Sequence, residues 1–130
     1  MKAIYKLVLA VVAGVAIGAV GAWAIYAQQV KTPPGYIVAE VSVKDPGTFQ
    51  NYKAKLPETL APFNHQVLIS GGKTDALEGD APKTIVVISF DSMKDARAWY
   101  DSPAYQAILP IRQSAATSRV FLVEGLPPKQ

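Results

Sequence analysis

The sequence has no cysteine. Disulfides, thiolate metal sites, a cysteine nucleophile and a lipid-modified cysteine behind an export segment are therefore excluded. It has one histidine, His65, so one chain cannot build a multi-histidine metal site, and no metal is expected. Clustered charge of one sign is missing as well. The formal net charge is +3, but Lys2 and Lys6 precede a long apolar run and leave 11 basic residues against 10 acidic ones. No basic stripe remains to follow a phosphate backbone, so no nucleic-acid partner is expected. No phosphate-loop pattern surrounds Gly71-Gly72 or Gly79, and no dinucleotide fingerprint occurs. Ser102 lacks a G-x-S-x-G elbow, and a helix N-cap accounts for it. No cofactor is expected. Repeats and low-complexity tracts are also lacking.

One long apolar run is present. Leu7–Ala27 holds 21 residues without a charge, behind the two lysines. A basic start, an apolar middle and small residues at the end describe a secretory signal, with cleavage after Ala24 or Ala27. An uncleaved anchor is the alternative, because the run is long enough to span a bilayer. Both readings export the rest of the chain to the periplasm, as a soluble protein or tethered to the inner membrane. A membrane contact is expected only through residues 7–27, if uncleaved. The predicted organisation is a signal or anchor at 1–27, a linker at 28–34, a domain at 35–126 and a tail at 127–130.

Within the domain, Tyr36–Val43 reads as a strand, with uniformly apolar odd positions. Asp45-Pro46 is a helix start, an N-cap carboxylate followed by proline at the first helical position. Phe49, Tyr52, Leu56, Leu60 and Phe63 then share one face. Pro57 predicts a kink or restart after residue 56, with an end near Phe63. Gln66–Ser70 reads as a short strand before the Gly71-Gly72 turn. Asp75–Pro82 reads as a loop or hairpin connection. Thr84–Phe90 is the strongest strand and is apolar on both faces, which predicts that both are covered. Ser92 and Asp95 form a capping pair for a helix from Met93 to Asp101. Ser102-Pro103 splits this helix and restarts it, with continuation toward Ser118. Arg119–Glu124 is the last strand. The order β-α-β-β-α-β predicts an α+β, ferredoxin-like sandwich: a four-stranded antiparallel sheet with helices on one face.

Four stretches, taken in order, carry a family resemblance: GYIVAEVSVKDPGTFQNY, GGKTDALEG, VVISFDSMKDARAWYDSPAYQAILPIR and FLVEG. Together they resemble the domain of unknown function family 1330, of the dimeric α/β-barrel superfamily, over residues 35–126. The resemblance implies a homodimer whose two sheets form a barrel. It does not imply a reaction; the superfamily includes cofactor-independent monooxygenases, isomerases and haem-degrading enzymes. The chain departs from the family pattern around the second strand. Asn64-His65 and Ser70 stand where a glycine pair and an arginine are common.

The aromatic stretch Ala98–Gln113 holds the ligand-binding candidates. Tyr100 and Tyr105 flank the Ser102-Pro103 joint and could line a pocket, or could fill the core beneath it. Arg112 could take a carboxylate or enolate oxygen with its planar fork, or pair with Asp101 or Glu124. The catalytic candidates are His65, the default general base, and Glu40, should its strand turn it inward and raise its pKa. The structural alternative for His65 is a turn residue capping the preceding helix, and Glu124 reads as an edge-strand charge. Two functions stay open. One is a pocket for a small, mostly apolar molecule near the split helix, with which cofactor-independent chemistry is compatible. The other is a non-catalytic envelope module for protein interaction or structure.

Overall fold

The computed structural model describes residues 32–130. The expected signal or anchor at 1–27 and linker residues 28–31 lie outside the described residues. The chain forms β1 (Gly35–Val43), α1 (Pro46–Leu60), β2 (His65–Ser70), β3 (Thr84–Phe90), α2 (Met93–Asp101), α3 (Pro103–Ala115) and β4 (Ala116–Glu124). The strands form one antiparallel sheet in the order β2-β3-β1-β4. This is the expected ferredoxin-like sandwich, with the second helix split at Ser102-Pro103.

The caps explain where the helices begin. Asp45 is extended (φ −123°, ψ 93°) and accepts from the Thr48 backbone N–H at 3.2 Å, while the Thr48 hydroxyl donates back at 2.6 Å. Hydrogen bonding to Thr48 holds the Asp45 carboxyl below its ordinary pKa. Ser92 and Asp95 cap α2 reciprocally. Ser102 serves two helices at once. Its hydroxyl donates to the Trp99 carbonyl that ends α2, at 2.7 Å, and accepts from the Tyr105 N–H that starts α3, at 3.3 Å.

Two expected boundaries move. α1 runs unbroken through Pro57 to Leu60. Pro57 lies in the last turn, so its missing N–H removes one hydrogen bond near an end that frays anyway. α3 stops at Ala115 rather than near Ser118, and β4 begins at Ala116. Pairing decides this: Ala116, Thr117 and Ser118 sit opposite Val43, Ser42 and Val41 of β1. The Ala115 carbonyl accepts from both Lys44 N–H and Asp45 N–H, which closes the helix end. Less conspicuously, β1 and β2 each start one residue earlier than predicted.

The register assigns the faces of the sheet. Ile37, Ile88 and Leu122 are aligned on the helix side, with Val86, Phe90 and Val120. Val38, Val87 and Phe121 are aligned on the opposite side. α2 comes close to β1 at Gly35. A Cβ there would lie 2.5 Å from the Ser92 carbonyl oxygen, so only glycine fits.

Candidate functional site

The helix side of the sheet is not filled completely. A cavity of about 530 Å³ lies between β1, β2 and β3 beneath and the helices above. Its floor comes from alternate, inward residues of β1 (Ile37, Ala39, Val41) and from Val86 and Ile88 of β3. Phe49, Tyr52 and Leu56 of α1 form its roof, and Trp99, Tyr105 and Arg112 contribute from α2 and α3. These walls are mainly apolar, with a few polar groups converging, which is the usual make-up of a small-molecule site.

The polar groups form one connected set. The Tyr52 and Tyr105 hydroxyls lie 3.1 Å apart and are buried. Their rings meet edge to face, with centroids 6.4 Å apart. Tyr105 also packs on Trp99 at 4.2 Å. The Trp99 indole N–H donates to the Thr59 hydroxyl at 3.1 Å, which fixes the ring that backs the cavity. Burial, followed by the neighbouring Tyr105 hydroxyl, pushes the Tyr52 phenol far above its ordinary pKa, while Arg112 opposes that shift. Tyr52 is thus a protonated hydroxyl throughout the working pH range.

Arg112 is only 6% exposed, and its Nε has no hydrogen-bond partner. Among the described residues it makes no ion pair. Of its two expected partners, Asp101 is held by Arg97 at 2.9 Å. Glu124 is exposed at the end of β4, opposite Gly35. A buried guanidinium is costly unless its donors are met.

The other candidates fall in different places. His65 lines the cavity from the start of β2, though it is exposed. Its Nδ1 lies 2.8 Å from the Phe63 carbonyl, which can only accept, so Nδ1 carries the proton and neutral His65 keeps its lone pair on Nε2. Tyr100 packs its ring against Trp99 and Tyr105 and is not part of the cavity wall. Glu40 does not turn inward. It lies opposite Arg119 on the helix-free face and binds it at 2.6 Å, which lowers the Glu40 pKa. The raised pKa required of a base at this position is not found. Tyr52 and Lys53, which also line the cavity, were not singled out from the sequence. Tyr52 carried a signal, since a hydroxyl on the apolar stripe of α1 needs a buried partner.

Residues 34–126 match the model of the family described as Domain of unknown function (DUF1330). Among solved structures, the fold is similar to the RPA0582 protein of unknown function from Rhodopseudomonas palustris. That likeness has a TM-score of 0.60 at 16% identity, over 83% of this chain and 94% of that one. It is also similar to SnoaB, a cofactor-independent oxygenase from Streptomyces nogalater, with a TM-score of 0.50 at 17% identity over 76% and 96% of the two chains. A dimeric ferredoxin-like protein of unknown function from Thermobifida fusca has a TM-score of 0.51 at 18% identity, over 73% and 93%. At these identities the likeness shows the fold alone. Among curated proteins none matches the chain.

Proposed function

Because the chain belongs to the DUF1330 family, whose description names no reaction, we propose a function from the site itself: binding of a small, mostly apolar molecule between the sheet and the helices. The cavity of about 530 Å³ carries this reading. It falls within the roughly 300–1,000 Å³ usual for ligand pockets. An interaction module without a ligand predicts a closed, filled interior, so the open volume favours the pocket. Tyr105 and Arg112 form its polar end together with Tyr52. Tyr100 supports Tyr105 from behind.

His65 is the acid–base group available at the cavity. Proton-transfer chemistry without a cofactor is therefore compatible with the site, and SnoaB, of similar fold, is a cofactor-independent oxygenase.

A thermal-shift screen of small carboxylates, phenols and quinones tests the reading. At least one compound class is expected to raise the melting temperature, and Tyr105→Phe is expected to reduce the shift. If no compound stabilises the protein and Tyr105→Phe behaves as wild type throughout, the pocket reading falls.

The protein is also proposed to work outside the cytoplasm, on the strength of the lysine-led apolar run at residues 7–27. Cell fractionation with N-terminal sequencing is expected to find it in the soluble periplasmic fraction, starting near Ile25 or Gln28. Full-length protein in the membrane fraction would instead identify that run as an anchor. Full-length protein in the cytosol would refute export.

A further inference from the structure

From the charge and proton inventory of the cavity we infer that its ligand is an apolar monocarboxylate, seated with the carboxylate on Arg112 and the tyrosine pair. This deepens the pocket reading and rests on it.

Two observations converge on Arg112. The first is the sign of the walls. Arg112 and Lys53 line the cavity, and no aspartate or glutamate does so among the described residues. Lys53 is exposed, but Arg112 is buried in this wall with no compensating carboxylate, so its positive potential is one that water screens poorly. A cationic ligand is repelled, and an anion is drawn in.

The second is the supply of hydrogen-bond donors. The Nε–H of Arg112 is buried without a partner. Tyr52 and Tyr105 each carry one hydroxyl proton, and their mutual contact at 3.1 Å uses one of the two. The other proton remains to be donated elsewhere. The Tyr52 hydroxyl stays protonated because burial opposes its ionisation. Beside the tyrosine pair, the wall of the cavity therefore carries a buried Arg112 Nε–H that has no acceptor. A carboxylate accepts through both oxygens and donates nothing, so it meets the guanidinium fork and the phenol together. An amide or an alcohol would leave one of these donors unmet or bring a surplus proton.

The remaining walls fix the body of the ligand. From Ile37 to Val41 the floor extends roughly 13 Å at strand spacing. It is faced with aliphatic side chains, and Phe49 and Trp99 stand above it. This suits a two-ring aryl acid or a medium-chain fatty acid with no second charge.

The probes are naphthoate, octanoate, the methyl ester of naphthoate, and naphthylmethylamine. Each is titrated by calorimetry and thermal shift into the protein as cells accumulate it from the full-length gene. Naphthoate or octanoate is expected to bind at least ~10-fold more tightly than the ester, the scale of a hydrogen bond to a charged group, and the amine is expected not to bind. Arg112→Met is expected to bring the acid down to the level of the ester. That variant should also melt at or above the wild-type temperature, because it removes an unpaired buried charge.

Equal binding of acid and ester would overturn the carboxylate assignment and leave the apolar pocket standing. Preferential binding of the amine would overturn it too. No binding by any probe would remove the assignment along with the pocket reading. The acid-to-ester ratio of the wild type decides the matter even if Arg112→Met fails to fold. In Arg112→Met, a preserved ratio with a lower melting temperature would show a structural arginine, and it would sink the proposal.

Discussion

Trp99→Ala should destabilise the domain by about 3–5 kcal/mol, the usual cost of removing a large aromatic from a core. Such a loss is a large share of the ~5–15 kcal/mol that holds a typical domain folded. Trp99 is 2% exposed and joins three elements. It stacks on Phe90 of β3 with centroids 5.6 Å apart, and it packs on Tyr105 of α3 at 4.2 Å. Its N–H reaches Thr59 of α1 at 3.1 Å. No neighbour can collapse into the gap without giving up one of these contacts. Because Trp99 also lines the cavity, the void would merge with it, and the Tyr105 ring would lose the surface that positions its hydroxyl. Urea denaturation of wild type and variant, at equal slope, measures the difference. A loss below ~1.5 kcal/mol would mean that the wall can relax and that the cavity shape is not set by this ring. Trp99→Phe separates packing from the hydrogen bond. It keeps most of the ring and should cost nearer 1 kcal/mol for the lost hydrogen bond, with some further loss from the smaller ring.

The fold was legible because its local signals agree with one another. Asp45-Pro46, the Ser92/Asp95 pair and Ser102-Pro103 each mark a helix start by a mechanism confined to four residues, and all three caps form. The alternation in β1 needed only the pleat of the strand. What depended on distant pairing was less legible. Nothing near Ala115-Ala116 announces a helix end; Val43 and the Ala115 carbonyl settle it through contacts far along the chain. The site shows the same divide. Tyr105 and Arg112 were visible as unusual residues beside a helix break. Tyr52 lies 53 positions from its partner hydroxyl, and sequence spacing carries no trace of that meeting. The side Glu40 takes stays open in the sequence because a strand residue faces one of two sides, and only the register with Arg119 decides which.

The helix-free face of the sheet leads to the second expected result: the domain pairs with a second copy of itself, and Phe121→Glu breaks the pair. Val38 is flanked by Val87 on β3 and Phe121 on β4, and Tyr36 is flanked by Val123. Ile69 extends the row on β2 opposite Val87. Phe121, Val123 and Ile69 are 42%, 42% and 44% exposed in the single chain. Each large apolar side chain gains ~1.5–3 kcal/mol on complete burial. Covering even the exposed portion of this row is therefore worth several kcal/mol to each partner, and a sheet face of this kind is rarely left to water. The helices cannot cover it, since both sides of the split helix and α1 lie on the other face. A like sheet has the matching flat apolar surface. The ion pair of Glu40 and Arg119 stands at one end of the row, where it can remain hydrated at the rim. Light scattering on the wild type at micromolar concentration should give twice the protomer mass. Phe121→Glu puts a charge into the proposed seam from the edge strand β4 and should shift the mass toward the protomer, with a lower melting temperature. Ser114→Glu, on the exposed side of α3, should leave the mass unchanged. A wild type that stays a well-folded monomer at these concentrations would refute the pairing and show that the sheet tolerates its apolar face in water.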